Sequence, residues 1–107
     1  MEHKTFLEAF EHYYNNNSTV EIAYYETSQG NISFYESKDK SCLNIYSINV
    51  KTLLRNTGIV KNMISTLQND PNIKQIRVIA IGSFILDAYL GRLGWIIHGA
   101  DRVWKRT

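Results

Sequence analysis

An α+β layered sandwich is the fold class that the sequence predicts, on three observations. Three β-rich runs follow one another across short polar turns, which makes them antiparallel neighbours. After Val50 the apolar spacing changes from two to three and four, the mark of a helix. A second β-rich run then returns, and a strand, helix and strand in succession normally close as a right-handed parallel crossover. The expected order is helix, three antiparallel strands, helix, strand, helix and one or two terminal strands, forming a mixed sheet in a single domain over residues 1–107.

In the opening segment "KTFLEAFEHYYNNN", Phe6, Leu7, Phe10 and Tyr14 recur at helical spacing, and the asparagines with Ser18 end the helix. "TVEIAYYET" and "NISFYES" are the first two strands, joined by "SQG", whose Gly30 can take a positive φ. Val20, Ile22 and Tyr24 share one face of the first of them. "CLNIYSINV" is the third strand, in which Leu43, Ile45 and Ser47 alternate with Asn44, Tyr46 and Ile48. Between residues 58 and 68, Ile59, Met63, Ile64 and Leu67 line one side of a helix that "NDPN" terminates. "IKQIRVIAI" reads as a strand buried on both faces by its end, parallel to "CLNIYSINV". "SFILDAYLGRLG" reads as a helix capped by Ser83 and Gly94, with Phe84, Leu86, Ala88, Leu90 and Leu93 inward. "WIIHG" and "RVWKR" form a terminal hairpin around "GAD".

Composition narrows the function classes. With 44% hydrophobic and 21% charged residues, the chain is too apolar for disorder. A net charge of +2 is well short of a dedicated nucleic-acid binder, so nucleic acid is not the expected partner. Cys42 is the single cysteine, so there is no intrachain disulfide, and no cysteine and histidine set has zinc spacing. Charges interrupt the apolar positions of the N-terminal segment, which is neither a signal peptide nor a membrane span. These features lead to the expectation of a cytoplasmic protein.

The stretch "NVKTLLRNTGIVKNMISTLQ", residues 49–68, contains no acidic residue and joins a strand end to a helix start. A helix start presents N–H groups without intrahelical partners and about half a positive charge, which suits a phosphate. Gly58 allows close approach, and Arg55, Lys61 and Lys51 can add charge.

That stretch resembles the acetyl-coenzyme-A-binding motif of the GNAT N-acetyltransferase superfamily, a strand ending in Val followed by Arg/Gln-x-x-Gly-x-Gly/Ala at a helix start. Arg55 and Gly58 match, and Val60 stands at the last position. "ILDAYLGRLGWIIHG" is similar to the family's second motif through Ala88, Tyr89, Leu93, Gly94 and Trp95. Together the motifs cover roughly residues 42–98, in the family's order and spacing. The resemblance implies a GNAT-like mixed sheet and acetyl-CoA as co-substrate. It implies pyrophosphate at Arg55, Asn56, Thr57, Gly58, Ile59 and Val60, and a pantetheine arm against backbone groups of Ile48 and Val50. The strand end over residues 45–50 would splay from residues 76–81. Tyr89 would be the acid that protonates the departing thiolate, a role that suits a phenol of ordinary pKa about 10; the alternative is an aromatic packed on the sheet.

No general base is assigned. "CLNIYSINV" has no carboxylate; Glu36, Glu21 and His98 are the available groups, each also readable as a surface residue. Cys42 has no partner base, and "DRVWKRT" is short enough to be a solvated last strand. Because the N-terminal part is abbreviated, the expected acceptor is an amine on another protein rather than a small metabolite. The alternative is a catalytically inactive GNAT-fold module that binds a protein through its tyrosine-rich half, with a homodimer as a related possibility.

Overall fold

A computed structural model describes residues 3–15, 22–36, 42–54, 57–79 and 84–106 of the chain. Helix α1 (Phe6–Asn15) precedes strands β1 (Ala23–Thr27), β2 (Gly30–Glu36) and β3 (Cys42–Val50). A 3-10 turn (Thr52–Leu54) leads towards α2 (Ile59–Asn69), β4 (Gln75–Val78), α3 (Phe84–Arg92), β5 (Ile96–His98) and β6 (Asp101–Lys105). The six strands form one sheet in the order β1-β2-β3-β4-β6-β5. Every neighbouring pair is antiparallel except β3 and β4, which are parallel across the α2 crossover. The expected α+β architecture, a GNAT-like mixed sheet, is therefore the observed one.

The core lies on one face of the sheet. Ile32, Phe34, Leu43, Ile45, Ile76 and Val78 supply its strand side. Phe6, Phe10 and Tyr13 of α1, Met63, Ile64 and Leu67 of α2, and Leu90 of α3 cover them. Phe10 stacks on Phe34 at 4.1 Å, which fixes α1 over the β1-β2 hairpin. Since all three helices pack into this cluster, the opposite face carries no described helix. It carries the alternate residues, among them the half-exposed Ser33, Tyr35 and Arg77 and the buried Asn44 and Val103.

The hairpin turn is tightly determined. Thr27 Oγ1 accepts from the N–H groups of Gln29 and Gly30 at 3.0 and 3.2 Å. Gly30 has φ 145° and lies against β3 so closely that a Cβ would fall 1.8 Å from Asn49 O, so only glycine fits. Gln29 Oε1 in turn accepts from Phe6 N at 3.0 Å, tying the start of α1 to the turn.

Ile22 and Tyr24 share a face, as expected, and it is the exposed one (56% and 58%), because Ala23 and Tyr25 take the core side, Tyr25 by stacking near Phe34; Val20 lies outside the described residues. Several expected inward positions are corrected. In α3, Ala88 and Leu93 are exposed, because Leu86, Tyr89 and Leu90 form the inward stripe. The side chain of Phe84, like Ser83, lies outside the described residues. The helix ends at Gly94 in a Schellman arrangement, Trp95 N donating to Leu90 O at 3.0 Å and Gly94 N to Gly91 O at 3.0 Å. β4 buries one face only over its described length: Ile76 and Val78 enter the core while Gln75 and Arg77 stay half-exposed. Ser47 does not share the face of Ile45. An irregularity in the β2-β3 register between Ser33 and Phe34 puts an extra residue, Tyr46, on β3. Beyond it, Ile48 and Val50 turn to the core, and Ser47 Oγ meets Ser33 Oγ at 2.6 Å on the open face.

One buried polar pair gives the fold a pH signature. Tyr14 Oη donates to Glu36 Oε2 at 2.9 Å, and Tyr13 Oη accepts from Glu36 N at 3.0 Å. Burial, and then the Glu36 carboxylate, push the Tyr14 phenol well above its ordinary value. A phenol held protonated in the folded state stabilises it fully below the unfolded pKa of about 10, and that contribution is lost as pH rises beyond it. Urea titrations from pH 8 to pH 11 are expected to show an alkaline loss of stability that is shallower in Tyr14→Phe. An identical slope in the variant would remove Tyr14 as a source.

Candidate functional site

The site begins where the described parallel ladder stops. β3 pairs with β4 from Cys42↔Gln75 to Ile45↔Val78, and Ile79 N donates to Ile45 O at 2.9 Å. β3 then runs on to Val50, held by β2 as far as Gly30↔Val50. The extra residue Tyr46 follows the last described pair of that ladder, and a bulge bends its strand and increases the twist.

Backbone direction along this stretch follows from one hydrogen bond. Lys51 N donates to Gln29 O at 2.8 Å across the antiparallel pair. Hydrogen-bonded pairs alternate along such a ladder, so the peptide groups of Asn49 and Ser47 point at β2. Those of Ile48 and Val50 point to the other edge of β3, the side from which the described part of β4 has departed. Their side chains are half-buried against the core.

The chain then reaches α2. Arg55 and Asn56 lie outside the described residues. Thr57 and Gly58 are exposed, and Gly58 is the N-cap of α2 with φ 82° and no side-chain cap. That left-handed conformation is one that glycine adopts without strain. The first turn holds no acidic residue, and the bond Asn62 N to Gly58 O at 2.9 Å begins the helical ladder. Ile59 and Val60 are half-buried and pack against the core, so the branched Val60 side chain faces the sheet rather than the loop. The start of α1 is different. Thr5 Oγ1 accepts from Glu8 N at 3.0 Å and Gln29 Oε1 from Phe6 N at 3.0 Å, so its end amides are occupied.

A cleft of about 300 Å³ separates these two helix starts, lined by Thr5, Phe6, Gln29, Thr57, Gly58 and Asn62. Gln29 is a lining residue the motif reading did not single out; only the close approach of the "SQG" turn to α1 brings it there. Across α2, Tyr89 is half-buried against the core, and Lys61 Nζ lies 5.3 Å from its ring centroid. The fold thus gathers Thr57, Gly58, Ile59 and Val60 at one helix start, brings Ile48 and Val50 along the strand leading to it, and links Tyr89 to that helix through Lys61.

The groups considered as bases are placed elsewhere. Glu36 is buried at the far end of β2, opposite Leu43, whereas Val50 lies opposite Gly30 at the near end. His98 Nδ1 lies 3.0 Å from Arg77 Nη2 on the exposed edge strand. A guanidinium can only donate, so Nδ1 accepts there and the remaining proton sits on Nε2. Glu21 is outside the described residues. Cys42 Sγ contacts Asn44 Oδ1 at 3.7 Å, and no metal-binding group of three or more side chains occurs among the described residues. On the open face, Arg77 pairs with Asp101 at 2.8 Å and Tyr35 stacks on Tyr46 at 5.5 Å.

The class defined by this architecture is a two-layer α+β protein with a mixed sheet and a β-α-β crossover. No protein-family model, no curated protein and no solved structure matches the chain. No described helix is long and apolar enough to cross a membrane.

Proposed function

We propose that the chain is an N-acetyltransferase that transfers the acetyl group of acetyl-CoA to an amine, more readily one on a protein than on a small metabolite. The observation that carries this reading is the described parallel β3-β4 ladder, which runs to Ile45↔Val78, with β3 continuing from it to a helix start at Gly58, a residue that offers no side-chain cap. In this reading the pantetheine arm lies along the peptide groups of Ile48 and Val50. The pyrophosphate lies against the amides of residues 57–60, with Arg55 and Asn56 beside it. When bound, acetyl-CoA supplies an activated thioester. The chain orients it through backbone donors, and Tyr89 supplies a proton to the leaving sulfur. The acceptor reaches its attacking form by losing a proton to water; of the groups considered as bases, Glu36 lies at the other end of β2 and His98 on the edge strand beside Arg77.

A second reading, a GNAT-fold module that binds a protein without chemistry, draws on the sheet face that carries no described helix, with its stacked Tyr35 and Tyr46 and the exposed Tyr24. Calorimetric titration with acetyl-CoA separates the two. One-site binding is expected, with thermal stabilisation of about 2.7 kcal/mol at 100 times the dissociation constant. Tyr89→Phe is expected to bind as well as the parent and turn over about a hundredfold more slowly. Absence of binding at millimolar cofactor would leave the module reading.

A further inference from the structure

We infer that the protein acetylates its own Lys61. The inference rests on the acetyltransferase reading and names one acceptor for the same site. Lys61 is exposed on the first turn of α2, the helix whose start is the proposed phosphate contact. Its ammonium lies over the ring of Tyr89, the proposed proton donor to the thiolate, at 5.3 Å from the centroid. A thioester sulfur that reaches the Tyr89 hydroxyl lies at the edge of the same ring whose face carries this amine, and the four-carbon stem of lysine lets Nζ swing from the ring face towards it. An amine held beside the thioester reacts as if at very high concentration, an advantage that no diffusing acceptor has. No other lysine among the described residues has its ammonium recorded against Tyr89.

The step balances without a further reactant. The Lys61 ammonium loses a proton to water, and its nitrogen attacks the thioester carbon. The N–C bond forms, the C–S bond breaks, and the nitrogen releases its second proton to water. The thiolate takes the phenolic proton of Tyr89, and the phenolate recovers one from water. Acetyl-CoA and a lysine ammonium become coenzyme A, an acetyl-lysine and one free proton. The modification removes the positive charge from both the helix start and the ring of Tyr89, so the modified chain holds the anionic cofactor less well and the reaction limits itself.

The test incubates the full chain with acetyl-CoA, follows intact mass and maps the modified peptide, while a thermal shift with unacetylated coenzyme A reports binding independently. One acetyl group per chain at Lys61 is expected, lost in Lys61→Arg, retained in Lys105→Arg and formed about a hundredfold more slowly in Tyr89→Phe. If coenzyme A stabilises the protein but Lys61 gains no acetyl group, or gains it no faster than Lys4, Lys74 and Lys105, the inference is overturned and the cofactor reading stands. If coenzyme A produces no shift and Lys61 stays unmodified, both fall.

Discussion

Arg106→Ala is expected to lower the stability of the fold by about 3 kcal/mol. Arg106 Nη2 donates to Gln68 O at 2.6 Å and to Asp70 O at 2.7 Å, and Nε donates to Ile73 O at 3.0 Å. Its guanidinium also lies 5.0 Å from the Trp104 ring. The carbonyls of the last turn of a helix have no intrahelical partners and carry the negative end of its dipole. One planar fork thus satisfies the end of α2 and the connection into β4, and joins both to the last strand. Thermal unfolding should show a fall in Tm on the order of 10 °C for a domain of this size. Arg106→Lys should recover less than half of the loss, because a single ammonium cannot span the same three acceptors. Full recovery by lysine would mean that charge alone, and not the fork, holds this corner.

Gly58→Asp is expected to weaken coenzyme A binding by about a hundredfold while leaving the fold nearly as stable as before. The two effects separate because they have different causes. A Cβ at Gly58 meets nothing within 4 Å, so the side chain has room. The left-handed φ of 82° costs about 1 kcal/mol or more for most residues, and aspartate tolerates it better than most. A carboxylate at the N-cap also bonds the first-turn amides and complements the dipole, which offsets that cost. Those are the amides proposed for the pyrophosphate. Occupying them and adding a negative charge removes charge-assisted bonds worth about 3 kcal/mol, a factor of about 100 in affinity. Gly58→Ala puts no carboxylate at these amides and is expected to bind within about tenfold of the parent. Calorimetry on both variants with thermal melts checks this. An Asp variant that binds coenzyme A normally would remove the start of α2 from the site.

The described polar groups divide into those that hold the fold and those available for chemistry. Arg102 is engaged by Asp87, with Nε to Oδ1 at 2.6 Å, and by Trp95 O at 3.0 Å, which pins α3 against β6. This pairing holds the Asp87 carboxyl below its usual value through hydrogen bonding to Arg102. Arg77 is engaged by Asp101 and His98 on the open face. Lys61 is different: its contact is an aromatic ring, it sits on the helix whose start is uncapped, and its ammonium stays exposed.

The element order and the parallel crossover were legible in the sequence because periodicity and short turns are local. Gly30 between two β-rich runs and the acid-free segment of residues 49–68 needed no neighbours to be noticed. The phase of β3 was not legible: alternation alone put Ser47 with Ile45, and only pairing with β2 reveals the extra residue at Tyr46 that turns Ile48 and Val50 to the core. Nor did spacing decide which side of β1 or of α3 faces inward. Ile22 and Tyr24 share the exposed face while the half-buried Tyr25 turns to the core, where it stacks with Phe34 across the strands. The insertion of β6 between β4 and β5, the cleft that joins Gln29 to Gly58, and the meeting of Lys61 with Tyr89 were likewise decided by tertiary structure. Each depends on contacts between residues distant in the chain, whereas local sequence determines only what each segment is able to become.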